Sequence, residues 1–379
     1  METIKKIKKE TPQKVVKKTV IQVIDEQDIN REIIKQAGEH LRAGGLVAFP
    51  TETVYGLGAD ALNQEAARKT YEAKGRPSDN PLIIHIATLE ALDGITDDKP
   101  ESVHALAKRF WPGPLTMIFH KSKRVPLETT GGLETVAVRM PENKVARELI
   151  EAGGGYISAP SANISGKPSP TTAKHVAEDM SGRIDMILDG GPVKIGVEST
   201  ILDMTVMPPM ILRPGAVTRR MLEEVLPSVG VDPAVYSLEE HIEAKAPGMK
   251  YRHYAPNAPL ILVDGTQAEV IKAINLAVQD KKKQGLKVGI IGTDESVNHY
   301  EAQYVKSIGT RMNENSIAKN LYAILREFDE ENIDYAFSES FSEEGIGLAI
   351  MNRLYKAAGY KRIEAAEIIK LHANRKETN

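Results

Sequence analysis

The chain has 379 residues, 41% hydrophobic and 27% charged, an ordinary globular composition that at roughly 150 residues per domain accommodates two domains. It contains no cysteine, which excludes disulfides, thiolate zinc sites, iron–sulfur clusters and a thiol nucleophile. The 49 Lys plus Arg against 52 Asp plus Glu give a formal net charge of -3, so any site for a polyanion has to be local.

Residues 1–18 form a lysine-rich arm: Lys5, Lys6, Lys8, Lys9, Lys14, Lys17 and Lys18. No apolar core follows them, as a secretory signal requires, and neither Arg nor Ser precedes Arg31, as a transit peptide requires. No run of about 18 apolar residues is present. These features predict a cytoplasmic chain with a solvated basic arm and no membrane span.

Strands are predicted at Thr19–Ile24, Leu46–Phe49, Leu82–Ile86, Leu115–Phe119, Thr135–Met140, Tyr156–Ala159, Asp185–Asp189, Ser199–Asp203 and Met210–Arg213. Helices are predicted at Gln64–Lys74 behind an Asn63 cap, at Ser102–Phe110, at Asn143–Ala152, and from a Thr171 cap to Met180. Strands outnumber helices, which favours a large mixed sheet in a domain spanning 19–243. The Pro- and Gly-containing stretch 244–259 reads as a linker. From Leu260 strand and helix alternate, as in a smaller parallel Rossmann-like α/β domain spanning 260–379. Its strands are placed at Leu260–Val263, Lys287–Gly292, Gln303–Ile308 and Tyr335–Ser338, and its helices at Thr266–Lys283, Asn315–Glu330 and Ile346–Ala358.

Polar motifs sit between these elements. In Phe49-Pro50-Thr51-Glu52-Thr53-Val54-Tyr55-Gly56-Leu57-Gly58, an extended chain would put Thr51, Thr53 and Tyr55 on one side, and the glycines would allow positive φ. A tight turn satisfying its own backbone is the other reading. Lys74-Gly75-Arg76-Pro77-Ser78-Asp79-Asn80-Pro81 projects two cations from a stiff loop, suited to a phosphate chain. Lys74 also suits a helix C-terminus without any ligand. His85 follows in an apolar strand, where a core role competes with a site role. In Thr135–Met140, alternation places Val136, Val138 and Met140 on one face and Thr135, Ala137 and Arg139 on the other. A buried Arg139 needs an anion, from a ligand or from the protein.

Ser161-Ala162-Asn163, Ser169, Glu198-Ser199-Thr200 and Arg213-Pro214-Gly215 add polar groups at strand ends, where α/β sites usually form. Gly345-Ile346-Gly347 only resembles a dinucleotide fingerprint, because Ile350 fills the third glycine position, and no P-loop exists. None of the nine histidines has metal spacing to another, so no metal site from protein side chains is expected.

Together, Phe49–Gly58, Lys74-Gly75-Arg76, Ser161-Ala162-Asn163, Glu198-Ser199-Thr200, Arg213-Pro214-Gly215 and Pro247–Tyr254 closely resemble the YrdC-type threonylcarbamoyl-AMP synthases in their two-domain form. The resemblance implies a twisted open mixed α/β sheet with a positive concavity. It implies a nucleotidyltransferase that makes L-threonylcarbamoyl-AMP and pyrophosphate from L-threonine, bicarbonate and ATP, with Mg²⁺ accompanying ATP. A partner transferase then modifies tRNA beside the anticodon, and a direct contact with tRNA is left open. Carried over by position, Thr53, His85, Arg139, Ala159 and Ser199 would surround threonine. Arg76, Asn80, Thr135, Ser161, Ser169 and Arg213 would hold ATP, with Lys74 and Asn163 in the same site and Lys74 and Arg76 as its catalytic cations.

The linker departs from the family at Ala246, where Ser is usual. Lys250, Arg252, His253 and Tyr254 are large for a spacer, and are read as a lid over the nucleotide. Related hydrogenase-maturation carbamoyltransferases need cysteine zinc sites that this chain lacks. An RNA-binding or regulatory module without catalysis is the remaining alternative.

Overall fold

The computed structural model describes residues 17–236, 246–247 and 253–377, so most of the basic arm, with Lys250 and Arg252, lies outside the described residues. The first half contains β1 (Val20–Val23), α1 (Arg31–Arg42), β2 (Val47–Phe49), β3 (Gly56–Asp60), α2 (Gln64–Lys74), β4 (Ile83–His85) and α3 (Ser102–Phe110). There follow β5 (Leu115–His120), α4 (Leu127–Thr130), β6 (Thr135–Arg139), α5 (Lys144–Ala152), β7 (Ile157–Ser158) and α6 (Ala173–Met180). Then come β8 (Met186–Asp189), β9 (Thr200–Asp203), β10 (Met210–Arg213), α7 (Arg219–Glu223) and β11 (Gly230–Val231). These strands form one mixed sheet of 11 strands, ordered β1-β8-β2-β3-β7-β4-β6-β5-β9-β10-β11.

Local chemistry explains the helix ends. Asn63 accepts from the Glu65 and Ala66 amides to start α2, and Gly75 ends it at φ 59. The cap of α6 is Thr172, one residue beyond the predicted Thr171. Thr172 accepts from the His175 amide, while the Thr171 hydroxyl faces His175 Nδ1 at 3.3 Å.

The predicted alternation in β6 holds. Val136, Val138 and Met140 join one core cluster with Ile84, while Ala137 packs with Ile83 and Ile201 on the opposite face. Gly56 and Gly58 lie in β3, and neither uses the positive φ that glycine allows. Close packing requires them instead. A Cβ on Gly56 would sit 3.2 Å from the Phe49 ring, and one on Gly58 would sit 3.0 Å from the Val47 carbonyl.

The second half contains β12 (Leu260–Asp264), α8 (Gln267–Lys283), β13 (Val288–Gly292), β14 (Tyr304–Ser307) and α9 (Glu314–Glu330). It ends with β15 (Tyr335–Glu339), α10 (Gly347–Ala358), β16 (Arg362–Glu364) and α11 (Ala365–Glu377). Its five strands are all parallel, in the order β14-β13-β15-β12-β16. A capping box between Thr266 and Glu269 opens α8.

The two halves share a core. Val54 and Val197 pack with Leu321, Leu325 and Leu354 of α9 and α10, and with Tyr254 of the linker. Gly196 brings the Gly196–Ser199 segment against α9. Its φ is +90, and a Cβ there would lie 2.5 Å from the Ala318 carbonyl oxygen and the Lys319 Cα. Gly196→Ala should therefore lower folding stability by about 1–3 kcal/mol in chemical denaturation, through overpacking and left-handed strain. An unchanged midpoint would mean that this segment and α9 do not touch.

Candidate active site

The polar strand ends converge as expected from the sequence: His85 ends β4, Arg139 ends β6, Arg213 ends β10 and Ser199 precedes β9, and together they line one cavity. His85 and Arg139 are register partners in the parallel β4–β6 pair, and Thr116 lies opposite Arg139 on antiparallel β5. Alternation therefore sends both side chains to the same face, with their neighbours Ile84 and Val138 in the opposite core. The cavity is lined by Thr53, Arg76, His85, Arg139, Ala159, Ser161, Asn163, Ser199, Arg213, His253 and Tyr254. Lys74, Asn80, Thr135 and Ser169 do not line it, although the resemblance implied ligand roles for all four.

The segment Pro50–Tyr55 is a bend, not an extended strand. Thr51 Oγ1 donates to the Val54 carbonyl at 2.6 Å and accepts from the Thr53 and Val54 amides. Both sequence readings therefore hold in part: the turn satisfies itself, and Thr51, Thr53 and Tyr55 still reach the cavity wall.

The anion for Arg139 comes from the protein. Its Nη2 donates to Glu52 at 2.5 Å, its Nη1 to Thr53 Oγ1 at 2.9 Å and its Nε to the Gly113 carbonyl at 3.3 Å. The other Glu52 oxygen accepts from the Glu142 amide at 3.1 Å. Beside this pair His85 is buried, with Nδ1 3.2 Å from the Ile83 carbonyl. A carbonyl can only accept, so the proton belongs on Nδ1 and Nε2 is left as an acceptor. Burial first, and then the Arg139 charge, hold His85 down at about 3. The ring is neutral at ordinary pH.

On the opposite wall, Lys74 supports the site from beneath. Its ammonium donates to the Ser161 and Asn163 carbonyls, each at 2.5 Å, and so fixes the Ser161–Asn163 turn. Burial, then the Arg76 charge, push its pKa well below the ordinary lysine value. Asn80 clamps Arg76: Nε meets the Asn80 carbonyl at 3.1 Å and Nη2 meets Oδ1 at 2.6 Å. Burial lowers the Arg76 pKa to about 10, so it remains a cation. Arg213 donates to the Ser199 carbonyl at 3.0 Å and to its hydroxyl at 3.1 Å, and Thr116 holds that hydroxyl at 2.8 Å. Among the described residues, three arginines thus face the cavity, each held by protein partners.

Among the described residues, three buried polar atoms around the site have no protein partner: Asn163 Oδ1, Asn80 Nδ2 and His253 Nε2. The Asn163 amide nitrogen donates to the Ile164 and Lys167 carbonyls at 2.8 and 2.9 Å, which orients the oxygen as an unspent acceptor. His253 and Tyr254 are both buried, and Tyr254 stacks on Tyr322 of α9 with ring centroids 5.2 Å apart. Glu52, Glu198, Tyr322 and Arg353 were not singled out from the sequence as site residues. Glu52 and Glu198 stand inside quoted motifs, but their partners lie 87 and 155 residues away. No local pattern reveals such pairs.

Comparison with known proteins agrees with the geometry. A family model described as telomere recombination matches residues 39–215. A second, described as threonylcarbamoyl-AMP synthase, C-terminal domain, matches residues 217–359. Threonylcarbamoyl-AMP synthase of Pyrococcus abyssi is 51% identical over 331 residues, covering 87% of this chain and 95% of that protein. The Bacillus subtilis protein of the same name is 49% identical over 344 residues, covering 90% and 98%. A crystal structure of P. abyssi Sua5 complexed with L-threonine has a TM-score of 0.87 at 49% identity, covering 91% of this chain and 99% of that one. The chain belongs to the threonylcarbamoyl-AMP synthase family, in its two-domain form.

Proposed function

We propose that this chain converts L-threonine, bicarbonate and ATP into L-threonylcarbamoyl-AMP and pyrophosphate. The observation that carries the reading is one cavity with two chemistries. Thr53, neutral His85, Arg139 and Ala159 make a small amino-acid-sized side, and Arg76, Arg213 and the Ser161–Asn163 turn make a polyanion side.

Threonine's amine and bicarbonate combine to a carbamate with loss of water. A carbamate oxygen then bonds to the α-phosphorus, the bond from that phosphorus to the bridging oxygen breaks, and pyrophosphate leaves. Negative charge grows on the phosphate oxygens, so fixed cations such as Arg76 and Arg213 would supply most of the stabilisation. The neutral Nε2 of His85 can accept from the amine or hydroxyl of threonine. Arg139 can still offer one hydrogen from each Nη to its carboxylate, although Glu52 already balances the charge. Asn163 Oδ1 would accept from a hydroxyl or amino group of the nucleotide.

Among the described residues, no group of three or more His, Asp or Glu side chains is placed to hold a metal. In this reading Mg²⁺ arrives with the nucleotide and keeps its own waters. The product would pass to a transferase that modifies tRNA beside the anticodon. We place the reaction in the cytoplasm, where ATP and tRNA are found.

Position supports a lid, because His253 and Tyr254 of the linker form part of the cavity wall. His253 and Tyr254 would move aside to admit ATP and return to exclude water from the labile mixed anhydride. Lys250 and Arg252, assigned to the same lid from the sequence, lie outside the described residues.

Pyrophosphate release should require ATP, threonine and bicarbonate together. Equal release with threonine omitted would overturn the reading. Arg139→Ala is a poor probe of the threonine side, because it also strands Glu52 in a buried site at a cost of about 3–5 kcal/mol. Ala159→Leu is cleaner. Filling a pocket that accepts one methyl group should raise the threonine KM about tenfold or more, with little change in the ATP KM. Unchanged threonine kinetics would place the amino acid elsewhere.

Histidine burial makes a pH prediction. His85, His175 and His253 are held at about 3, 4 and 3, mainly by burial, with neighbouring Arg139, Arg326 and Arg76 adding to it. Unfolding returns each ring to about 6.5. The unfolded chain therefore binds more protons between these values, and stability falls as pH drops from about 6.5 toward 3. The denaturation midpoint should be lower at pH 5 than at pH 7.5. Equal midpoints would mean that the rings are exposed.

A further inference from the structure

The second domain enters the cavity wall through one buried cation. Arg353 of α10 is 0% exposed. Its Nε donates to Glu198 Oε2 at 3.0 Å, its Nη1 donates to the Pro214 carbonyl, and its Nη2 reaches the Glu198 carbonyl at 3.4 Å. One guanidinium thus grips both the Glu198–Thr200 and the Arg213–Gly215 segments. Tyr322 of α9 places its hydroxyl 2.9 Å from both carboxylate oxygens of Glu198. From the first domain, the Ser169 hydroxyl donates to Glu198 Oε1 at 2.5 Å. Arg213 is bonded in turn to Ser199, the residue after Glu198.

Helices α9 and α10 contribute the groups that meet the Glu198 carboxylate from the second domain, and a carboxylate in so dry a site needs a compensating charge. The same domain supplies that charge. Once paired, the carboxylate fixes which way the Ser169 hydroxyl points, and the Pro214 contact fixes the backbone that carries Arg213.

We propose that Arg353 is a positioning residue for nucleotide binding, acting from the second domain through Glu198 and Pro214 on Arg213. The proposal rests on the reading of Arg213 as a nucleotide ligand. It gives the second domain a part in the reaction beyond covering the site, since the nucleotide side of the cavity keeps its geometry only while α10 is docked.

The test is pyrophosphate-release kinetics on the full-length protein, with ATP and threonine varied separately and thermal unfolding recorded for each variant. Arg353→Met should raise the ATP KM about tenfold or more and the threonine KM less than threefold. Tyr322→Phe removes one hydrogen bond and strands no charge; it should fold and raise the ATP KM about two- to fivefold, and it decides the matter if Arg353→Met does not fold. Arg76→Gln serves as the reference for the nucleotide side and should raise the ATP KM as well. If Arg76→Gln does so while Arg353→Met and Tyr322→Phe leave the ATP KM unchanged, the proposal is overturned and the reading of the cavity stands. A lower maximal rate with both KM values unchanged would reduce Arg353 to a structural tie and also overturn it. If Arg76→Gln leaves the ATP KM unchanged, the assignment of the nucleotide side fails, and the proposal with it.

Discussion

A carboxylate buried as deeply as Glu198, 6% exposed, stays ionised only if its neighbours replace the water it has lost. Burial alone would raise its pKa, but Arg353, Arg213 and the Ser169 hydroxyl overcome that and hold it at about 2. The remaining architecture is arranged around this requirement. Gly196 lets α9 approach, Tyr322 and Arg353 arrive on neighbouring helices, and Val54 and Val197 close the apolar surface around them. The two sheets are separate, but the charge balance of the cavity wall is not complete in either half alone.

The same logic appears a second time, within the first domain. Arg139 and Glu52 are 4% and 2% exposed and neutralise each other beside the cavity. Arg76, Arg139 and Arg213 are thus tied to the protein before a substrate arrives. Such tethering costs affinity for any single anion, because part of each charge is already satisfied. It also removes the reorganisation that a mobile cation would undergo as charge develops in the transition state. Lys74 shows the extreme form: its ammonium is spent on two carbonyls, and its contribution is the shape of the Ser161–Asn163 turn.

Much of this was legible in the sequence. The period-2 pattern of Thr135–Met140 assigns Arg139 to the face that carries the cavity, and the Asn63 cap marks a helix start correctly. Clusters of polar residues beside Gly and Pro located most of the cavity wall. Other features were unreadable for physical reasons. Strand β3 was missed because two glycines suggest a turn, whereas they are there to let Phe49 and Ala159 approach. Helices α1, α4, α7 and α11 and the short strands β11 and β16 are not assigned from the sequence, the strands being only two or three residues long. The ion pairs were invisible because sequence separation says nothing about which charge meets which. Arg353 lies close to a discounted glycine motif, and its importance appears only once α10 is docked on the first domain.

The most direct measurement is a crystal structure with L-threonine and a non-hydrolysable ATP analogue bound together. The account predicts the amino acid against Thr53, His85, Arg139 and Ala159, the phosphates against Arg76 and Arg213, and the Glu198–Arg353 pair intact. Phosphates bound away from Arg76 and Arg213, or a threonine outside the β4–β6 face, would contradict it.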